Sequence, residues 1–220
     1  MASSPDFIYP LAPWQLIGEA IQTVQPVSLM RLRCWVPEQF EIVQIWPGLT
    51  LGGLYLAQYN SGSTLIYQEL IVVAGLVRYA GKIGFWISHI YVDNLASVAG
   101  GQEIWGLPKE MATFTGSATD QLSITAVQPN LQPGLQLCDI AAKTVPATLR
   151  LWFPVAAFGQ QAGRTLWFTA SARFQLQWAS SVHIRVPSSS PFASLGLDSP
   201  WLVFRLKSLQ LDVKAPQMLN

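Results

Sequence analysis

The chain has 220 residues, of which 50% are hydrophobic and only 11% charged, and its formal net charge is +1. The length predicts a single domain spanning residues 1–220, with a core of its own. A charged fraction this far below the roughly 25% of typical soluble domains is typical of extensive burial, an oligomer interface or contact with an apolar partner, and we expect a homo-oligomer. Lysine and arginine form no cluster that could bind phosphates, which excludes a nucleic-acid-binding protein.

The apolar excess does not predict a transmembrane segment. The most apolar stretch, residues 65–92, contains Glu69, Arg78 and Lys82 and offers no clean span of the roughly 18 residues that a membrane helix needs. The first six residues lack the basic and apolar regions of a signal peptide, so a cytoplasmic protein is expected. Cys34 and Cys138 lack metal-ligand spacing and are predicted to be free thiols.

In chain order, the first predicted element is a short helix over residues 14–20, because Pro13 suits the first turn of a helix. A second short helix is predicted over residues 95–99, capped by Asp93 or Asn94 and ended by two glycines. The rest of the pattern is β, with apolar or alternating runs rich in Val, Ile and aromatic residues. Strands are predicted over residues 51–59, 65–77, 83–92, 149–153, 170–186 and 201–213.

Short polar loops connect the predicted strands. Residues 60–63 and 79–82 are typical of hairpin loops, so the neighbouring strands are expected to pair antiparallel. Strands this continuously apolar indicate burial on both faces, in a closed barrel or in packed sheets. The sequence therefore predicts a mainly β fold with minor helix.

One carboxylate lies within an apolar predicted strand. Two-residue alternation places Tyr67, Glu69, Ile71 and Val73 on one face. A carboxylate there is costly unless it is paired or protonated. Glu69 is therefore either part of a salt bridge to an arginine or an acid or base that faces a cavity.

One lysine follows a proline in a segment of low charge, residues 103–110, where Trp105 and Leu107 precede it. Lys109 is either an ordinary surface lysine or a lysine on an apolar wall. On such a wall desolvation disfavours the ammonium form, and the free amine can attack a carbonyl to form a Schiff base. Glu110 follows directly and is expected to face the opposite way, because side chains alternate in an extended segment.

Several segments carry a resemblance to a known family. Four segments resemble the acetoacetate decarboxylase family: residues 36–42, the Tyr67–Gln68–Glu69 triplet, residues 89–100, and the group of Glu103, Pro108 and Lys109. The resemblance implies a barrel-like antiparallel fold with an internal cavity. It also implies that Lys109 is the Schiff-base nucleophile and that Glu69 faces it.

The chain departs from the family at three positions that carry cations there. By ungapped counting, the substrate-binding arginine falls on Gly18, the second lysine on Glu110 and the arginine of the "GRE" motif on Gln102. A second acidic residue falls on Leu54. A small β-keto acid is therefore a less suitable substrate than in the family's decarboxylases.

The expected function is a Schiff-base-forming lyase that acts on a keto compound by decarboxylation or by aldolase or dehydratase chemistry. The alternative is a non-catalytic protein that binds an apolar metabolite, such as an isoprenoid or a fatty acid. Lys109 and Glu69 are the predicted catalytic residues, and Trp105 and Gln102 are predicted to bind the substrate. No metal-binding or nucleotide-binding motif is present, so neither a metal nor a cofactor is expected.

Overall fold

The computed structural model describes residues 9–117, 122–128, 135–146 and 148–219. Strands dominate this part of the chain and helices are short, as the alternation of apolar residues predicted. The strands are β1 (Trp14–Ser28), β2 (Glu41–Ile42), β3 (Leu49–Tyr59), β4 (Tyr67–Tyr79), β5 (Lys82–Val92), β6 (Lys109–Met111), β7 (Thr113–Ser117), β8 (Leu122–Gln128), β9 (Leu135–Thr144), β10 (Leu149–Gln161), β11 (Arg164–Arg185), β12 (Leu202–Val213) and β13 (Gln217–Leu219). The helices are α1 (Leu29–Leu32) and α2 (Leu95–Trp105), with a 3₁₀ turn at Ala193–Leu195.

Seven of the strands form a closed ring. Its order is β10–β5–β4–β3–β1–β12–β11, and β11 pairs back with β10. Six of the junctions are antiparallel, whereas β10 and β5 run parallel and pair at only two positions, Ala157 with Phe85 and Phe158 with Trp86. The predicted barrel-like antiparallel sheet is thus confirmed, with one short parallel seam.

The ring separates two hydrophobic clusters because successive side chains along each strand point alternately to its inner and outer faces. The inner cluster includes Trp14, Leu16 and Trp105. The outer cluster joins the outer faces of β3 and β4 to β9 and to the segment around Phe192. Burial on both faces explains why these strands are so continuously apolar in sequence.

The helix predicted over residues 14–20 is wrong, because this segment is the start of β1. Trp14 and Leu16 are buried, whereas Gln15 and Ile17 are exposed. This is the two-residue alternation of a strand, and it overrides the helix-starting signal of Pro13.

The second predicted helix exists but continues past the two glycines that were expected to end it. Asn94 caps it, accepting a hydrogen bond from the Ser97 backbone, and it ends only at Gly106 in a left-handed conformation. Gly100 and Gly101 lie inside the helix because the neighbouring side chains leave no room for a Cβ there. No helix in the described part of the chain is long and apolar enough to span a bilayer.

Candidate active site

The ring encloses an elongated cavity of about 480 Å³. Its wall includes Trp14 and Val24, which lie near opposite ends of β1. At about 3.3 Å per residue, and with the strand tilt of roughly 40° usual in closed rings, this separation corresponds to roughly 25 Å. The lining is apolar apart from Lys109, Glu69 and two tyrosines, Tyr55 and Tyr67, and apart from Gln22 and Thr23 next to Val24.

Lys109 and Glu69 form an ion pair inside this cavity. The distance from Lys109 Nζ to Glu69 Oε1 is 2.8 Å, and the side chains are only 4% and 5% exposed. Lys109 Nζ also donates a hydrogen bond of 3.0 Å to the Ser97 hydroxyl. It lies 5.0 Å from the centre of the Tyr67 ring and 5.6 Å from that of Trp14, which are distances typical of cation–π contacts.

The backbone holds Lys109 in this position from two sides. Strand β6 begins at Lys109 and pairs parallel with β5, where Ile90 is its partner. On the other side, the Gln102 side-chain amide donates a hydrogen bond of 2.8 Å to the Lys109 carbonyl.

Helix α2 packs directly on the lysine side chain. A Cβ at Gly101 would lie 2.7 Å from Lys109 Cε, closer than real Cβ contacts allow. Gly100 is equally constrained by the Trp14 ring, which a Cβ there would meet at 2.6 Å. The two glycines therefore let the helix approach closely enough for Ser97, one turn earlier, to reach Lys109.

A chain of tyrosine hydroxyls continues from Glu69. Tyr59 donates a hydrogen bond of 3.0 Å to Glu69 Oε2, and its hydroxyl lies 3.3 Å from that of Tyr55. Burial raises the pKa of Tyr55, Tyr59 and Tyr67 above the ordinary value of a phenol, and the nearby Glu69 carboxylate raises each further. These phenols therefore stay protonated, and Tyr59 remains a donor to the carboxylate.

The arginine-paired alternative for Glu69 is absent from the structure. Arg78 pairs with Glu41 at 3.0 Å on the surface. Arg33 donates to the carbonyls of Val36 and Pro37, and neither it nor Arg31 lines the cavity.

The two residues predicted to bind substrate lie in different places. Trp105 is buried, lines the cavity and donates its indole N–H to the Lys214 carbonyl at 2.8 Å. Gln102 is exposed and outside the cavity, where its amide supports the Lys109 backbone instead. Glu103 and Glu110 are exposed as well, so neither adds a second carboxylate to the pair.

The positions where the family carries its arginine and its second acid are also unsuited to those roles here. A Cβ at Gly18 would collide with the backbone of Gln58 on the neighbouring strand, 2.9 Å from its carbonyl carbon. Leu54 lies in the outer cluster, on the face of β3 opposite to Tyr55. Among the described residues that line the cavity, Lys109 is thus the single cation and Glu69 the single acid.

Three site residues were missed by sequence reasoning: Ser97, Tyr55 and Tyr59. Alternation along β3 places Tyr55 and Tyr59 on the same face, which was a usable signal. Ser97 precedes Gly101 by one helical turn and so shares its face, but only a helix extended past the glycines makes that visible.

The arrangement supplies an amine, a carboxylate 2.8 Å away and a proton-donating phenol, all shielded from water. It resembles no metal site, since no group of three or more potential metal ligands occurs in the described residues. An amine beside a proton acceptor in an apolar cavity is suited to nucleophilic attack on a carbonyl carbon.

Solved structures of other proteins share this fold. The acetoacetate decarboxylase of Legionella pneumophila superposes with a TM-score of 0.72 at 15% identity, covering 100% of this chain and 92% of that one. The enduracididine biosynthesis enzyme MppR, complexed with pyruvate, gives 0.66 at 13% identity and covers 99% and 93%. At these identities the likeness establishes the fold alone.

Curated relatives match over a shorter part. The protein NEOXANTHIN-DEFICIENT 1 of Arabidopsis thaliana is 30% identical over 111 residues, which is 50% of this chain and 39% of that protein. The acetoacetate decarboxylase of Ralstonia nicotianae is 31% identical over 106 residues, or 48% and 41% of the two lengths. The aligned part thus spans about two fifths of each relative. The acetoacetate decarboxylase family model matches residues 4–132, more than half of the sequence, and the chain belongs to this family.

Proposed function

We propose that the protein is a lyase in which Lys109 forms a Schiff base with a largely apolar keto compound. The observation that carries the proposal is the buried pair of Lys109 and Glu69, with 2.8 Å between Nζ and Oε1, at one end of an elongated apolar cavity. Both side chains are buried and in direct contact, so a proton can pass from Lys109 to Glu69 without changing the net charge of the cavity.

The reaction begins when Lys109 transfers a proton to Glu69 and its free amine attacks the carbonyl carbon. Loss of water, with the proton returned from Glu69, gives a protonated imine. The cationic nitrogen then accepts the electron pair of a breaking bond to the neighbouring carbon, which releases CO₂ or a carbonyl fragment and leaves an enamine. Protonation of the enamine carbon and hydrolysis of the imine by water regenerate Lys109.

The substrate class follows from the charge of the cavity. Lys109 and Glu69 cancel, and no further cation lines the described wall, so a small keto acid brings a carboxylate that finds no partner. An elongated β-hydroxy ketone with an apolar remainder fills the cavity without that cost, and its hydroxyl-bearing carbon leaves as the carbonyl fragment while Glu69 accepts the hydroxyl proton. The match to decarboxylases of the family supports the chemistry, whereas the lining favours a larger and less charged substrate.

The test is reductive trapping of the imine. A methyl ketone with a long alkyl chain is incubated with the protein and borohydride, and the adduct is located by peptide mass spectrometry. We expect the added mass at Lys109, its absence in Lys109→Arg, and its retention in the matched surface variant Lys82→Arg. Labelling that persists in Lys109→Arg contradicts the proposal.

A second measurement addresses the substrate class. Release of CO₂ from acetoacetate is expected to be weak, well below the usual enzyme range of roughly 1–10³ per second. Trapping is expected to be more efficient with the long-chain ketone than with acetoacetate. Rapid decarboxylation of acetoacetate would show that a cation outside the described cavity wall serves its carboxylate.

A second function is favoured by the apolar lining and by the relatives named for neoxanthin deficiency: non-catalytic binding of an apolar metabolite of isoprenoid type. Here Lys109 and Glu69 mark the polar end of a binding tunnel. Organic extraction of the purified protein distinguishes the two functions. A retained apolar compound that is bound equally by Lys109→Met, together with no borohydride adduct, favours binding over catalysis.

A further inference from the structure

The cavity opens at the end opposite to Lys109. Leu151 and Phe153 of β10 line its wall, yet they are 38% and 56% exposed. By alternation, Trp178 of β11 and Leu202 of β12 face the same way, and they are 51% and 43% exposed. The inner face of the ring therefore continues to the surface as uncovered apolar side chains.

Two further aromatic residues extend this exposed area. Trp152 lies between Leu151 and Phe153 on β10 and is 59% exposed, and Trp201, next to Leu202, is 66% exposed. We call the six residues the apolar rim: Leu151, Trp152, Phe153, Trp178, Trp201 and Leu202. A concentration of large exposed apolar side chains around a cavity mouth is typical of an interaction surface.

The charges near the rim are mostly basic, with the exposed Asp198, three residues before Trp201, as an acidic exception. On the hairpin of β10 and β11, Arg173 is the cross-strand partner of Trp152, and Arg150 is that of Gln175. On β12, Lys207 pairs with Gln175 from the other side. None of these three cations takes part in the ion pairs found in the described part of the chain. Residues 140–197, which contain both long strands of the hairpin, include five lysines or arginines and no aspartate or glutamate.

We propose that the apolar rim docks on the surface of an anionic lipid bilayer. Tryptophan is the side chain best suited to the boundary between lipid headgroups and acyl chains, and arginine and lysine next to it bind anionic headgroups. An acidic protein partner could also use these cations, but tryptophans beside cations around an open apolar cavity mouth match the headgroup and acyl layers of a bilayer. In this orientation the cavity mouth faces the acyl chains, and an apolar ligand passes from the bilayer to Lys109 without entering water.

The test is flotation of the full chain with lipid vesicles. Neutral phosphatidylcholine vesicles are compared with vesicles that also contain phosphatidylglycerol, at low and high salt. The protein is expected to float with the anionic vesicles, and to do so less at high salt because the charges are then screened.

Two sets of substitutions separate the contributions of the rim and of the cations. Replacement of Trp152, Trp178 and Trp201 by alanine is expected to abolish flotation with the anionic vesicles. Replacement of Arg150, Arg173 and Lys207 by glutamine is expected to lower binding to anionic vesicles roughly 100-fold, since each cation near such a surface contributes about a fivefold effect.

Controls use equally exposed residues elsewhere, Trp46→Ala and Arg164→Gln, which are expected to leave flotation unchanged. Circular dichroism establishes that every variant is folded. Lys109→Met is expected to float like the unmodified chain, so that failure of the Schiff-base proposal and failure of the docking proposal are distinguishable.

The proposal is overturned if the unmodified chain floats with neither kind of vesicle, or if the tryptophan substitutions leave flotation intact. Sedimentation in the absence of lipid detects a different occupant of the rim. If the unmodified chain does not float and the tryptophan substitutions convert an oligomer into a monomer, the rim is instead an interface between copies of this chain.

Discussion

Lys109 Nζ and Glu69 Oε1 are 2.8 Å apart, and each is the only group of opposite charge that the other meets among the described cavity-lining residues. A buried ion pair of this kind contributes little net stability, but removal of one partner leaves the other charge without compensation. The pair is therefore a reason to expect large effects from single substitutions and small ones from matched double substitutions.

The first prediction concerns Glu69→Gln. Loss of the proton acceptor should lower any Schiff-base turnover by roughly 10²-fold or more, and the unpaired lysine should lower the free energy of unfolding by roughly 3–5 kcal/mol. Combining it with Lys109→Met should restore most of the stability and none of the turnover. Denaturant unfolding of the two single variants and the double variant measures the coupling, and additive losses would contradict it.

The second prediction concerns Gly101→Ala. Alanine is the better helix former by about 1 kcal/mol, but its Cβ would lie 2.7 Å from Lys109 Cε and push the lysine away from Ser97 and Glu69. The rate of borohydride trapping should fall at least tenfold while the melting temperature changes little. Leu95→Ala, on the exposed start of the same helix, is the control and should trap at the normal rate.

The third prediction is an alkaline titration. Burial raises the pKa of Tyr55, Tyr59, Tyr67 and Tyr91 above their ordinary value of 10.0. These four of the six tyrosines should stay protonated in the folded protein when the unfolded chain already ionises. The contribution of these tyrosines to the free energy of unfolding should therefore be constant below pH 10 and fall above it. Ultraviolet absorption of tyrosinate should rise together with unfolding, and ionisation of all six before unfolding would refute the prediction.

The fourth prediction is an acid titration. Burial lowers the pKa of His89 from 6.5 to about 4, and its ring packs on Trp35, 4.9 Å away. Between these pH values the unfolded chain takes up a proton that folded His89 does not, so stability is full above pH 6.5 and falls toward pH 4. His89→Phe should remove about 1–2 kcal/mol of the change in unfolding free energy between pH 6.5 and pH 4. This is less than the full pKa difference would give, because the ring is partly exposed to solvent.

One face of this site was predictable from alternation, whereas the expectation that Glu69 faces Lys109 depended on the family resemblance. Tyr67, Glu69, Ile71 and Val73 were assigned to one face of a strand, and all four line the cavity. The expected outward direction of Glu110 agrees with its exposure. A strand constrains the direction of its side chains so strongly that a short pattern is sufficient to assign them.

Other parts depend on contacts that a sequence does not display. Gly100 and Gly101 were interpreted as the end of a helix, which is the usual meaning of paired glycines. The helix instead continues to Trp105, and the two glycines are there because Trp14 and Lys109 occupy the space that side chains would need. Gln102 was interpreted as a substrate contact by analogy with a motif, whereas its amide holds the Lys109 carbonyl from outside the cavity.

The short parallel junction between β5 and β10 affects how wide a ligand the ring of strands can hold. Six junctions of the ring are antiparallel ladders of many pairs, whereas this one has two. Separating it breaks few hydrogen bonds, so the circumference of the ring is adjustable along this line and fixed elsewhere. A wider ligand can therefore be admitted by separation of the wall at this junction, without repacking of the end that holds Lys109 and Glu69.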